Sequence, residues 1–212
     1  MAKLIKKIKI NTTITLLTGL HVGGSTDNVE IGGIDNPVVK IASKDKQPYI
    51  PGSSLKGKMR CLLEQMAGSP VVGGDQKVNA LFGSADAKNP QPSRIIVRDA
   101  MLTKESAEFL KNCENLDMPY TESKYENVID RVNGTAQHPR QTERVPAGAV
   151  FDVEFVINIW DNNEKELLDM FQKGINALEN DYLGGSGSRG YGQIKFGELI
   201  KTELSDSNNW KA

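Results

Sequence analysis

YIPGSSLKGKMR, Tyr49 to Arg60, is the stretch that decides the fold. Gly52, Gly57 and Lys58 stand at the G-x-x-x-x-G-K spacing of a P-loop, which would make the chain a nucleoside triphosphatase. That signature closes on a Ser or Thr whose hydroxyl carries magnesium, and here Met59 follows the lysine. Ser53 is expected to cap a helix in which Leu55, Met59, Leu62 and Met66 recur on one face, with Lys56, Arg60 and Gln65 pointing elsewhere. A helix starting there leaves no loop to wrap phosphates. Lys56 and Lys58 still fall in its first turns, where the helix dipole disfavours cations. Either an anion sits there, held by free N–H groups and lysine together, or both lysines are merely solvated; the spacing does not choose.

Upstream, Ile8, Ile10, Thr12, Ile14 and Leu16 alternate as in a half-buried strand, and residues 18–37 form a long glycine-rich loop. Downstream, residues 68–93 are turn-rich, and Arg94–Ala100 reads as one strand followed by a segment that begins helically and then loses pattern. Residues 120–150 read as an extended arm with turn signals at Asn133-Gly134 and Pro146-Ala147-Gly148. Phe151–Ile159 is the clearest strand, and Leu167, Leu168, Phe171, Ile175 and Leu178 mark an amphipathic helix with an acidic outer face. A glycine-rich loop, Gly184–Gly192, then leads into a final strand through Lys195 and Phe196. It contains G-x-G-x-x-G, but with helix before and strand after, the reverse of a dinucleotide site. The order strand, helix, strand, insertion, strand, helix, strand is β-α-β-β-α-β. The expected fold class is α+β: one domain over 1–212, a ferredoxin-like (modified RRM) core with insertions at about 18–47, 68–93 and 103–150, and a hairpin arm.

Composition narrows the function classes. The chain has 212 residues, 38% hydrophobic and 25% charged, and no apolar run long enough for a membrane span. The basic start, MAKLIKKIKI, alternates like a strand and not like a signal peptide. Cys61 and Cys113 lack zinc spacing, so a reducing, cytoplasmic setting is expected. A net charge of −1 is unlike a free-standing nucleic-acid binder, yet Lys3, Lys6, Lys7 and Lys9 cluster at the start, with Lys56, Lys58 and Arg60 as a second patch. Six acids between Asp161 and Asp181 balance them. Any nucleic-acid contact is therefore a local stripe, or is shared among many copies.

Three blocks, GLHVGG with IGGIDNPV (19–38), PYIPGSSLKGKMR (48–60) and GGSGSRGYGQIKF (184–196), together resemble the repeated backbone subunit of the type III-A (Csm) CRISPR effector complex, a RAMP protein. Residues 126–155 resemble that family's thumb hairpin. The resemblance implies a subunit that stacks in several copies along a guide RNA and works with other subunits of the complex. Each thumb would splay a guide–target base pair, and a loop aspartate beside it, Asp35 here, would cut the complementary target RNA. It further implies RNA contacts by His21, Ser53, Ser54, Lys56, Lys58 and Arg60, with Arg131, Arg140, Gly187, Ser188 and Arg189 as further candidates. The expected reaction is attack by the RNA's own 2′-hydroxyl, assisted by Asp35 as base or as ligand of a divalent metal, Mg2+ being expected, with no nucleotide cofactor.

The plain readings stand beside these. An Asp before Asn36-Pro37 commonly serves a turn, and His21 and His138 can be structural or exposed. Asp99, Glu122, Glu126 and Glu143 are expected to be structural or inter-subunit partners. Four acids offset four bases in residues 121–150, so Arg144 and its neighbours belong to an arm neutral overall. No RRM stacking strand is evident, so base-by-base readout by the sheet is not expected. The alternative function is a non-catalytic guide-RNA scaffold.

Overall fold

The computed structural model describes residues 3–24, 34–88 and 90–205. Strand β1, Lys6–Leu16, follows the alternation of its sequence, with Ile8, Ile10, Ile14 and Leu16 buried. After the short strands β2 (Lys40–Ile41) and β3 (Gln47–Ile50), helix α1 runs Gly52–Met66. Helix α2 (Gln76–Phe82), strands β4 (Ile95–Val97) and β5 (Ala100–Leu102) and helix α3 (Lys104–Lys111) come next. The hairpin β6 (Glu122–Ile129) and β7 (Ala136–Arg144) precedes β8 (Val150–Ile159). Helix α4 (Glu164–Glu179), β9 (Ile194–Phe196) and β10 (Ile200–Ser205) complete the described elements.

The main sheet has the order β10-β1-β8-β5-β3-β2, with β4 also on β8 and β9 also on β1, all antiparallel. With β9 and β10 counted as one broken strand, and β4 and β5 as another, this is the 4-1-3-2 order that β-α-β-β-α-β requires. The central pair, β1 and β8, runs in register from Lys6 opposite Ile159 to Thr15 opposite Val150. Helices α1 and α4 pack together against one face of the sheet. Gly174 of α4 permits that approach, because a Cβ there would lie 2.5 Å from Cγ of Met59. Phe171 meets Phe155 edge-on at 5.0 Å between ring centres. The opposite side of β8 carries Asp152 and Glu154, with Glu154 paired to Lys9 and Arg98. On β8 that side carries no aromatic residue.

Four local expectations change. Helix α1 begins at Gly52 directly after Pro51, and no side chain of the flanking residue caps it. The capping role expected of Ser53 belongs to Asp99, whose Oδ1 accepts the Gly52 N–H at 2.8 Å. Gly52 must be glycine because a Cβ would lie 2.2 Å from the Val97 carbonyl oxygen. The turn-rich 68–93 holds α2, capped by Asp75 through the Val78 N–H. Arg94–Ala100 spans β4 and the start of β5, parted at Arg98-Asp99, where the Asp99 side chain reaches the start of α1. Finally, the last expected strand is followed by another, β10, which covers β1 from Lys6 to Asn11.

Candidate nucleic-acid interface

The hairpin β6–β7 is a two-stranded sheet of its own, and its faces differ. Glu122, Lys124 and Glu126 lie opposite Arg144, Thr142 and Arg140 on one face, while Ser123 and Tyr125 lie opposite Glu143 and Gln141 on the other. The first face looks onto the glycine-rich loop and the second onto the segment that carries Asp35.

On the first face, Glu126 Oε1 accepts the Tyr191 hydroxyl at 2.9 Å, while Arg189, Arg140 and Lys124 surround the carboxylate at 3.6, 3.7 and 3.8 Å. Burial opposes ionisation of Glu126, but the tyrosine hydroxyl and these cations outweigh it and hold the carboxyl below its ordinary range. The Tyr191 phenol, buried and facing that carboxylate, is pushed up to about 12. Lys124 and Arg144 lie over the Tyr191 ring at 4.4 and 5.0 Å from its centre. Above this floor opens a groove of about 580 Å³ lined by Lys124, Arg131, Arg140 and Arg189, with Glu126 as its one acid. The groove thus gathers Arg131 and Arg140 of the hairpin and Arg189 of the glycine-rich loop into an anion-attracting surface.

The glycine-rich loop is a 3-10 turn, Gly187–Arg189, entered through Ser186 and left through Gly190, both left-handed. Arg189 donates to Ser186 Oγ at 2.6 Å, and Ser188 is exposed. Gly187 lies flat against Tyr182, whose ring also carries Lys58 Nζ 3.6 Å from its centre. Lys58 is further paired to Asp181 at 3.4 Å. Tyr182 therefore joins α1 to the loop. Ser53 is exposed and Ser54 half-buried at the helix start. Lys56 turns inward, donating to Ser93 Oγ at 2.8 Å and to the Ile95 carbonyl at 3.4 Å, and burial followed by the nearby Arg60 lowers its pKa. Arg60 is engaged by Glu64 and Asn79 at 2.9 and 3.1 Å. Of the α1 cations, Lys58 is the one set beside the loop. Since Gly52 to Lys58 lie inside α1, the P-loop spacing is a stretch of helix and not a phosphate-wrapping loop.

On the second face, His21 links two elements. Its Nδ1 lies 2.7 Å from the Glu143 carbonyl oxygen and so donates to it, and its own carbonyl accepts the Gly185 N–H at 2.8 Å. Residues 36–38 run along β7: Asn36 bridges Thr142, and the Glu143 N–H donates to the Asn36 carbonyl at 3.0 Å. The Glu143 side chain is buried and satisfied by the Val38 N–H, the Thr121 hydroxyl and the Lys40 ammonium. This clamp sets Asp35 at the hairpin base, exposed, with Oδ2 accepting the Gln141 N–H at 3.2 Å. Among the described residues no group of three or more His, Cys, Asp or Glu is placed to hold a metal ion. Asp35 is a single carboxylate facing outward. The rest of its loop, residues 25–33, lies outside the described residues.

Other expected acids find partners within the chain. Asp99 caps α1, Glu122 binds Arg144 at 2.6 Å, and His138 is exposed on β7 with φ +51°. Sequence reasoning missed Tyr182, Tyr191, Gln141 and Tyr125. Tyr182 lies just before the glycine block and Tyr191 within it, which is their only signal; Gln141 and Tyr125 matter through strand register, which a single sequence does not display.

Residues 13–195 match the RAMP superfamily. The CRISPR endoribonuclease Csm3 of Methanocaldococcus jannaschii is 44% identical over 91% of this chain and 79% of its own length. That of Streptococcus thermophilus is 44% identical, covering 93% of this chain and 90% of its own. A crystal structure of a Csm3–Csm4 subcomplex from the type III-A interference complex superposes with a TM-score of 0.63 at 33% identity, over 97% of this chain and 83% of that one. A type III-B Cmr assembly superposes with a TM-score of 0.66 at 15% identity, a likeness of fold alone. The fold and the match define a RAMP protein, and at this identity and coverage the chain belongs to the Csm3 endoribonuclease family. Among the described residues no helix is long and apolar enough to cross a membrane.

Proposed function

We propose that this chain is a backbone subunit of a type III-A CRISPR ribonucleoprotein, acting in the cytoplasm. It holds the guide RNA through the groove between hairpin and glycine loop, and cuts complementary target RNA at Asp35. Further copies of the chain and the other subunits complete the assembly. The observation that carries the reading is the placement of Asp35. An exposed carboxylate is fixed by backbone contacts at the base of the hairpin, along the outer edge of β7 and outside the lining of the basic groove. A strand held along the groove and crossing the hairpin base passes that carboxylate.

In the reaction, the 2′-oxygen of the target attacks the adjacent phosphorus, forming the P–O2′ bond as the P–O5′ bond breaks. The products are a 2′,3′-cyclic phosphate and a free 5′-hydroxyl. Asp35 accepts the proton of the attacking hydroxyl or orients it, and solvent returns a proton to the leaving oxygen. Magnesium commonly binds through one carboxylate plus substrate phosphates and water, which a lone Asp35 fits. When bound, such an ion would stabilise the charge developing on the phosphate.

The test compares wild type with Asp35→Ala and Asp35→Asn in the assembled complex, following a labelled complementary RNA and its binding in parallel. Both variants are expected to bind target as wild type does and to lose the regularly spaced cuts, by about 100-fold or more in rate. Undiminished cutting by Asp35→Ala overturns the reading and leaves a guide-binding scaffold. Addition of a chelator is expected to stop cutting without releasing the RNA.

A further inference from the structure

Tyr125 is a large aromatic left in water: its residue is 71% exposed, whereas Tyr120 and Tyr191 are buried at 2% and 1%. Its hydroxyl is nonetheless held. Gln141, directly opposite on β7, donates from Nε2 to the Tyr125 oxygen at 2.9 Å and to Ser123 Oγ at 2.8 Å. The same residue's backbone N–H donates to Asp35 Oδ2 at 3.2 Å. Gln141 therefore fixes the Asp35 carboxylate with its main chain and the Tyr125 phenol with its side chain. A ring tethered at its polar end, with its apolar surface free, is set up for stacking.

The chemistry at Asp35 supplies a reason for such a ring. In a regular A-form strand the 2′-oxygen, phosphorus and 5′-oxygen are not collinear, and attack needs a nucleotide turned out of the stack. Turning it out forfeits stacking with its neighbours unless another flat surface receives the base, and aromatic side chains commonly do this in RNA recognition. We infer that Tyr125 is that surface. Its ring stacks on the unstacked target nucleotide beside the phosphate cut at Asp35, and Gln141 is the positioning residue that keeps ring and carboxylate in mutual register. Any base presents a π-face, so this contact favours cutting without imposing sequence. This inference rests on the assignment of Asp35 as the cleaving residue.

The test is a chemical double-mutant cycle in the assembled complex under single-turnover conditions. Tyr125 is replaced by Phe or Ala, and the target nucleotide next to one cut is either intact or abasic. Tyr125→Ala is expected to slow that cut about 10-fold, an aromatic stack lost, while target binding, set by the remaining base pairs, is unchanged. Tyr125→Phe keeps the ring and is expected within about 2-fold of wild type. The abasic target is expected to slow wild type as much as Tyr125→Ala does, and to slow Tyr125→Ala no further. Equal cutting by Tyr125→Ala and wild type overturns the inference. So does a Phe variant as slow as Ala, which assigns the role to the hydroxyl, and so do abasic and Ala effects that multiply. Asp35→Ala run alongside separates the levels: if it too cuts normally, the underlying assignment has failed; if it alone is inactive, only the stacking role has.

Discussion

At the residue scale, two glycines of one loop are expected to behave differently, though sequence treats them alike. Gly187 has no room: a Cβ would lie 1.9 Å from Cγ of Tyr182, the ring that carries Lys58. Gly190 has open space but a φ of +86°, so a side chain there meets backbone strain alone. Gly190→Ala is expected to cost about 1–2 kcal/mol through that strain. Gly187→Ala has to push Tyr182 aside and is expected to cost about 1–3 kcal/mol as an overpacked site. Only the second also displaces Lys58. Thermal melts measure both losses, and RNA binding by folded protein separates them: at equal folded fraction Gly187→Ala binds more weakly and Gly190→Ala does not. The sequence displayed the glycines, but not which of them touches a ring, because that depends on the approach of Tyr182.

At the level of elements, long periodic segments were legible and short ones were not. Strands β1 and β8 and helices α1 and α4 carry enough alternating or 3.6-period apolar positions to declare themselves. Helix α2, of 7 residues, is too short to show a period, and β4 and β5, of 3 residues each, depend on partners in β8. The start of α1 is not legible locally because its cap comes from Asp99, far away in the chain. The hairpin was legible as an arm, but its docking was not, because that rests on Glu126 meeting Tyr191. This contact has a pH signature. Glu126 has a folded-state pKa below its unfolded value, so its contribution is fully present above an ordinary glutamate pKa of about 4.3 and is lost as pH falls through the lowered one. Glu126→Gln is expected to melt below wild type at pH 7, by about 2–4 °C for each kcal/mol lost. The gap should close as the pH is taken below about 4. A gap that stays constant with pH would show that the carboxylate charge contributes nothing to docking the hairpin.

Over the whole molecule, a net charge of −1 and an RNA-binding role are reconciled by distribution. Acids are spread over the outer face of α4 and the open side of the sheet, whereas Lys124, Arg131, Arg140 and Arg189 converge on one groove with a single acid among them. Such a surface offers each copy only a few phosphate contacts, and repetition along one guide makes them sufficient. The number of contacts can be counted by salt. For single strands, log K falls against log salt with a slope of about −0.7 per phosphate neutralised. Arg140→Ala and Arg189→Ala are each expected to weaken RNA binding and to make that slope shallower by about 0.7, and the double variant by about 1.4. Lys173→Ala, which removes a cation from α4 beside a separate groove, should leave the slope unchanged. The losses are also expected to be equal for RNAs of different sequence, since phosphate contacts position a strand without reading it. If the arginine variants alter affinity for one sequence and not another, the groove reads bases. If they alter neither affinity nor slope, the guide follows another path across the molecule, and the convergence of these side chains serves only to dock the hairpin.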